Sequence, residues 1–131
     1  MKRNLRKILQ IVWFLLMCLV FWGCMDVPEE DDVLWFWGAD KLLHFGAYTV
    51  LYVSTWFAFP GAFARVGIVV SLLGYGLLIE VLQGQSGYRS PELADMMANA
   101  AGLSFGCLLL LLLAKHSQIL YRYRDVHGDT H

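Results

Sequence analysis

Glu80 stands inside the apolar run Val66 to Leu82, where an ionisable side chain facing lipid is costly and calls for a polar partner within the protein. Candidate partners are at hand. Asp40, Lys41 and His44 open one apolar run, Gln83 and Arg89 follow Glu80, and Asp95 and Asn99 open another. Two kinds of chemistry suit these types. His44, Glu80 and Asp95 are candidates for acid-base catalysis, since a carboxyl shielded from water holds its proton near neutral pH and Asp40 or Asp95 would orient the imidazole. Asp40, Lys41, Gln83, Arg89 and Asn99 are candidates for holding a ligand. Lys41 and Arg89 would receive an anionic group such as a lipid phosphate, while the others supply hydrogen bonds. A divalent ion among Asp40, His44, Glu80 and Asp95 is conceivable, but the spacing matches no known metal signature, so neither a metal nor a cofactor is expected.

The spacing within each group predicts a shared helical face. Asp40, His44 and Tyr48 succeed one another at four-residue intervals, Glu80 and Gln83 are three apart, and Asp95 and Asn99 are four apart.

The elements that must carry these faces are membrane helices. With 58% hydrophobic residues in 131 and a mean hydropathy of +0.53, the chain has too little polar sequence to cover a soluble domain. Four runs, at about 8–25, 42–59, 66–82 and 93–114, are long enough to cross roughly 30 Å of hydrocarbon at about 1.5 Å per residue. They occupy most of the chain, which implies one all-α, four-transmembrane-helix bundle over residues 1–131 with no separate soluble domain. Pro60-Gly61 makes a short turn that forces the second and third helices antiparallel, and Ser90-Pro91 suits an N-cap followed by a first helical residue. Ala94, Ala98, Gly102 and Gly106 recur every fourth position, a small-residue stripe that lets another backbone approach closely.

Charge sets the expected orientation. Lys2, Arg3, Arg6, Lys7, Arg65, Lys115, Arg122 and Arg124 fall on one side of the spans, whereas the other side keeps Lys41, Arg89 and the acidic loop Asp26 to Asp32. By the preference of Lys and Arg for the cytoplasmic side, both termini are cytoplasmic and the polar groups lie together beneath the outer rim of an inner (cytoplasmic) membrane. Trp35, Trp37 and Tyr88 suit the outer interfacial belt, with Tyr121 and Tyr123 as its cytoplasmic counterpart. The partners expected are membrane lipids and an anionic envelope precursor. Nucleic acid is excluded, because no broad basic face remains once the basic ends meet lipid headgroups. Gly23-Cys24 resembles the end of a lipoprotein cleavage box, but the bulky Phe21 and Trp22 fit it poorly. Cys18, Cys24 and Cys107 are read as small apolar residues without metal spacing or a disulfide framework.

In order along the chain stand Asp40-Lys41-x-x-His44-Phe45-x-x-Tyr48, Glu80-x-x-Gln83, Arg89-Ser90 and Asp95-x-x-x-Asn99-x-x-Gly102. This series resembles the VanZ-like membrane proteins over about residues 40 to 106, with a tyrosine between Gly87 and Arg89 as one departure. The resemblance implies a role in low-level resistance to the glycopeptide teicoplanin and names no reaction.

Every residue singled out also has a plain structural use. Asp40 would cap its helix, Lys41 would snorkel to headgroups, His44 and Tyr48 would pack, Gln83 and Ser90 would bound helices, and Arg89 would sit in solvent. Glu80, Asp95 and Asn99 are harder to explain this way, since a charge at mid-span costs roughly 2.5–3.5 kcal/mol. The expected function is binding or modification of an anionic envelope or lipid ligand in an outward-facing polar pocket. The alternatives are a membrane-embedded acid-base hydrolase or transferase acting on a lipid-linked phosphate, and a structural protein or proton relay. Against a relay, Leu9 to Phe14, Leu51 to Phe59 and Leu108 to Leu113 carry no continuing chain of ionisable residues.

Overall fold

The computed structural model describes residues 3–25, 38–85 and 92–127, with side chains at 4–25, 38–61, 63–85 and 92–118. The described chain is all helical: α1 (Arg3–Met25), α2 (Ala39–Ala58), α3 (Ala62–Gln85) and α4 (Leu93–His127). Three of them, α1, α3 and α4, are long and apolar enough to cross a membrane, which identifies a membrane protein.

The other helix, α2, differs for a physical reason. Its 20 residues would span about 30 Å, yet Asp40, Lys41, His44, Tyr48, Thr49 and Thr55 lower its hydropathy. Those side chains are sheltered instead by neighbouring helices. α2 packs most extensively on α4 and next on α1, and it buries His44, Tyr48, Leu51 and Thr55. Large apolar side chains stay exposed on all four helices, among them Phe14, Leu15 and Trp22 on α1, Leu42 and Phe57 on α2, Val70 on α3 and Leu111 on α4. Such a surface suits hydrocarbon as its solvent.

Local chemistry places the helix ends. Gly38 enters α2 with φ 89°, a left-handed conformation open to glycine, and its carbonyl accepts from Leu42 N–H at 3.1 Å. Phe59 leaves α2 extended because Pro60 disfavours a helical residue before it, and Gly61 at φ 105° turns the chain into α3. The helices outrun the expected spans, with α1 beginning at Arg3, α3 ending at Gln85 and α4 continuing to His127. Hydropathy delimits what suits lipid; the backbone hydrogen-bond ladder continues past it.

The small-residue stripe of α4 meets α2. A Cβ on Gly102 would collide with the Phe45 carbonyl oxygen, and one on Gly106 would lie 3.1 Å from Thr49 O. Thr49 Oγ1, 2.8 Å from Phe45 O and 3.1 Å from Gly102 O, shares its one proton between the two helices. This close approach brings the beginning of α2 against the beginning of α4. The apolar core below it consists of Trp13, Tyr48, Leu51, Ala58, Leu72 and Leu103.

Candidate functional site

Three helix termini meet at one end of the bundle. The first turns of α2 supply Asp40, Lys41 and His44, the last turns of α3 supply Glu80, and the start of α4 supplies Asp95 and Asn99, with Glu92 just before it. His44, Glu80, Gln83, Asp95 and Asn99 are all buried. His44, Glu80 and Asp95 each offer a ligand atom within 4.8 Å of the others. The convergence expected from spacing is thus present, and Glu80 points into protein.

Two layers can be distinguished in the cluster. In the upper layer Lys41 Nζ lies 2.9 Å from Asp40 Oδ2, 2.6 Å from Glu92 Oε2 and 3.3 Å from Asp95 Oδ1. Its ammonium precedes the apolar stretch of α2 and is held above the usual lysine pKa, first by Glu92 and then by Asp40. Lys41 therefore stays charged and already serves three carboxylates. In the lower, buried layer His44 Nδ1 lies 3.0 Å from Asn99 Oδ1, and His44 Nε2 faces Asp95 Oδ2 at 3.9 Å. Glu80 Oε2 accepts the Glu92 backbone N–H at 3.1 Å, while Oε1 is buried without a hydrogen-bond partner among the described residues.

The remaining candidates divide. Gln83 Nε2 donates to the Cys24 carbonyl of α1 at 2.7 Å, tying α3 to α1 one turn from Glu80. Tyr48 and Asn99 come together over Gly76 of α3, where a Cβ would stand 2.8 Å from both Tyr48 Oη and Asn99 Nδ2. Arg89 and Ser90 lie outside the described residues, as do Trp35, Trp37, Tyr88 and the acidic loop. Cys18 and Cys107 carry free thiols.

Sequence reasoning passed over Glu92 and Gly76. Glu92 precedes Asp95 by three residues and so continues the same face, a signal that was available. For Gly76 no pattern pointed to the need for a bare backbone opposite Tyr48.

A groove of about 410 Å³ runs beside the cluster, between α1 and α2. Leu16, Val20, Leu43 and Leu51 make its wall apolar, and Asp40 and His44 also line it. The arrangement offers four chemical capacities: a proton-exchanging imidazole, acceptor oxygens, a committed ammonium and an adjoining slot for hydrocarbon. Asp40, Glu92 and Asp95 also converge within 4.8 Å, but Lys41 is already bound to all three. No family model matches the chain, and no curated protein or solved structure shows significant similarity to it.

Proposed function

We propose that this chain is a VanZ-like integral membrane protein that binds, or acts on, the head of an anionic envelope lipid at its polar end. The single observation supporting this is the continuity of an apolar groove with a buried polar cluster, since His44 belongs to both. An amphiphile has the same division. Its acyl chain lies between α1 and α2, and its head meets His44, Asp95 and their neighbours. Since Lys41 is already engaged by Asp40, Glu92 and Asp95, the positive charge that an anionic head requires falls to Arg89, which lies outside the described residues. In the inner membrane, with both termini cytoplasmic, the site opens outward toward cell-wall precursors. Withholding such a precursor would account for teicoplanin resistance.

Gly46 provides a direct test, because it lines the groove and a Cβ there meets nothing within 4 Å. Gly46→Leu therefore enters the slot from a position where its Cβ meets no neighbour. A photoreactive lipid phosphate in vesicles should label α1 and α2 of the natural chain, with most of the label lost in Gly46→Leu. Equal labelling of both proteins would rule the groove out. Expression in a susceptible Gram-positive host should raise the tolerated teicoplanin concentration, and no change would remove the resistance role.

Acid-base hydrolysis or transfer at the same residues is a second reading, supported by the fixed histidine. Asn99 holds Nδ1 while Nε2 is turned toward the Asp95 carboxylate. Glu80→Gln separates the two, since it keeps shape but loses proton exchange. Binding that persists in Glu80→Gln and fails in Arg89→Ala marks a binding protein; turnover of a lipid-linked phosphate abolished by Glu80→Gln marks an enzyme.

A further inference from the structure

Two carboxylates lie in the lower layer at 3% exposure for Glu80 and 0% for Asp95, and the nearby cation is unevenly shared between them. Lys41 reaches Asp95, whereas Glu80 has no ion pair among the described residues. An uncompensated buried carboxylate is expensive, and a buried oxygen without a hydrogen bond adds to that cost. Among the described residues, then, no positive group answers Glu80.

We infer that His44, Glu80 and Asp95 bind a divalent first-row transition-metal ion. The imidazole is prepared for ligation. Asn99 Oδ1, 3.0 Å away, accepts from Nδ1–H, which leaves the lone pair on Nε2 facing Asp95 Oδ2. Metal-bound histidines commonly have their second nitrogen held in this way. The Nε2 to Oδ2 separation of 3.9 Å is too long for a hydrogen bond. It does suit two ligands on one ion, since bonds of about 2.1 Å place ligand atoms roughly 3.4 Å apart at a tetrahedral angle and up to about 4.2 Å apart when opposed. Glu80 Oε2 is engaged by the Glu92 N–H, and Oε1 is the buried oxygen that lacks a partner. Modest side-chain rotation closes the 4.8 Å cluster onto a common centre.

Charge and ligand type agree with the geometry. A 2+ ion supplies the positive charge that Glu80 lacks among the described residues and adds to that of Lys41 beside Asp95. One nitrogen with carboxylate oxygens favours ions of the Zn²⁺, Fe²⁺ or Mn²⁺ kind over thiolate-seeking Cu⁺. Three protein ligands leave coordination positions open. An ion there would also supply charge for an anionic head, but the site stands on its own geometry and a metal titration reads it without any lipid.

The competing occupant is a proton shared between Glu80 and its neighbours, and direct metal binding distinguishes the two. Full-length protein in detergent, stripped with chelator, is titrated with Co²⁺ and followed by its d–d absorption, with Zn²⁺ as competitor. One Co²⁺ per chain should bind with a d–d spectrum that Zn²⁺ abolishes, and Zn²⁺ should raise the melting temperature of the stripped protein. Glu80→Gln and His44→Gln should each weaken Co²⁺ binding by more than about 100-fold, the upper end for losing a supporting partner alone. Ser71→Ala, whose hydroxyl is exposed and bonds to Gly67 O of its own helix, should leave it unchanged. A folded natural chain showing no d–d band at millimolar Co²⁺ overturns the site whatever the variants do. So does binding that survives both His44→Gln and Glu80→Gln.

Discussion

The two ends of the bundle treat buried polar groups in opposite ways. Away from the cluster, each such group finds a nearby partner: Trp13 Nε1 donates to Thr55 Oγ1 at 2.8 Å, Thr55 Oγ1 donates to Leu51 O at 2.8 Å, and Tyr75 Oη donates to Met17 O at 2.6 Å. Near the turn between α2 and α3, Arg65 stacks 3.6 Å over Trp56 and donates to Phe59 O. Donors matched with nearby acceptors hold the helices together there, and among the described residues they leave nothing over. At the other end, ionisable groups from three helices share partners, and Glu80 keeps an oxygen unmatched among the described residues. Polarity serves adhesion in the first region; in the second it exceeds what adhesion needs, which is the signature of a site.

The largest test of this contrast strikes both ends together. Gly102→Leu drives a side chain into the Phe45 carbonyl, so the α2 to α4 contact should lose about 3 kcal/mol and the protein should fail to accumulate in the membrane fraction. Next, Thr55→Val leaves the Trp13 N–H buried without its acceptor. It should cost about 2 kcal/mol, read as a lower melting temperature in detergent, with lipid labelling unchanged. Glu80→Gln should act in the reverse sense. Replacing a buried carboxylate that has no ion pair among the described residues by a neutral amide should leave metal-stripped protein as stable or up to about 1 kcal/mol more stable, while metal binding is lost. A drop in stability as large as that of Thr55→Val would make Glu80 a structural residue and erase the contrast. The smallest effect belongs to Ser71→Ala. That hydroxyl is exposed and bonds to Gly67 O of its own helix, so neither stability beyond about 0.5 kcal/mol nor binding should change.

Much of this was legible beforehand. The four helices followed from apolar runs, and the convergence of Asp40 and His44, Glu80, and Asp95 and Asn99 followed from helical spacing combined with alternating chain direction. Gln83 shows the limit of that reasoning. It shares a face with Glu80 in sequence, yet one turn further along α3 its amide is taken by α1. Lys41 shows another, for a cation free to meet a ligand and a cation engaged by three carboxylates have the same sequence. Glu92 was overlooked because it stands before the helix proper.

By itself the sequence determined what depends on near neighbours: the apolar extent of each helix, the turn at Pro60-Gly61, which residues share a face, and the segregation of charge from hydrocarbon. Tertiary structure alone decided the central position of α2, the groove beside α1, and the placing of His44, Glu80 and Asp95 within 4.8 Å. The physical reason is that ligand distances of a few ångströms depend on how helices are rotated and how closely they pack. Here that depends on whether the backbone of α2 reaches Gly102 and Gly106, a long-range contact that no local pattern contains.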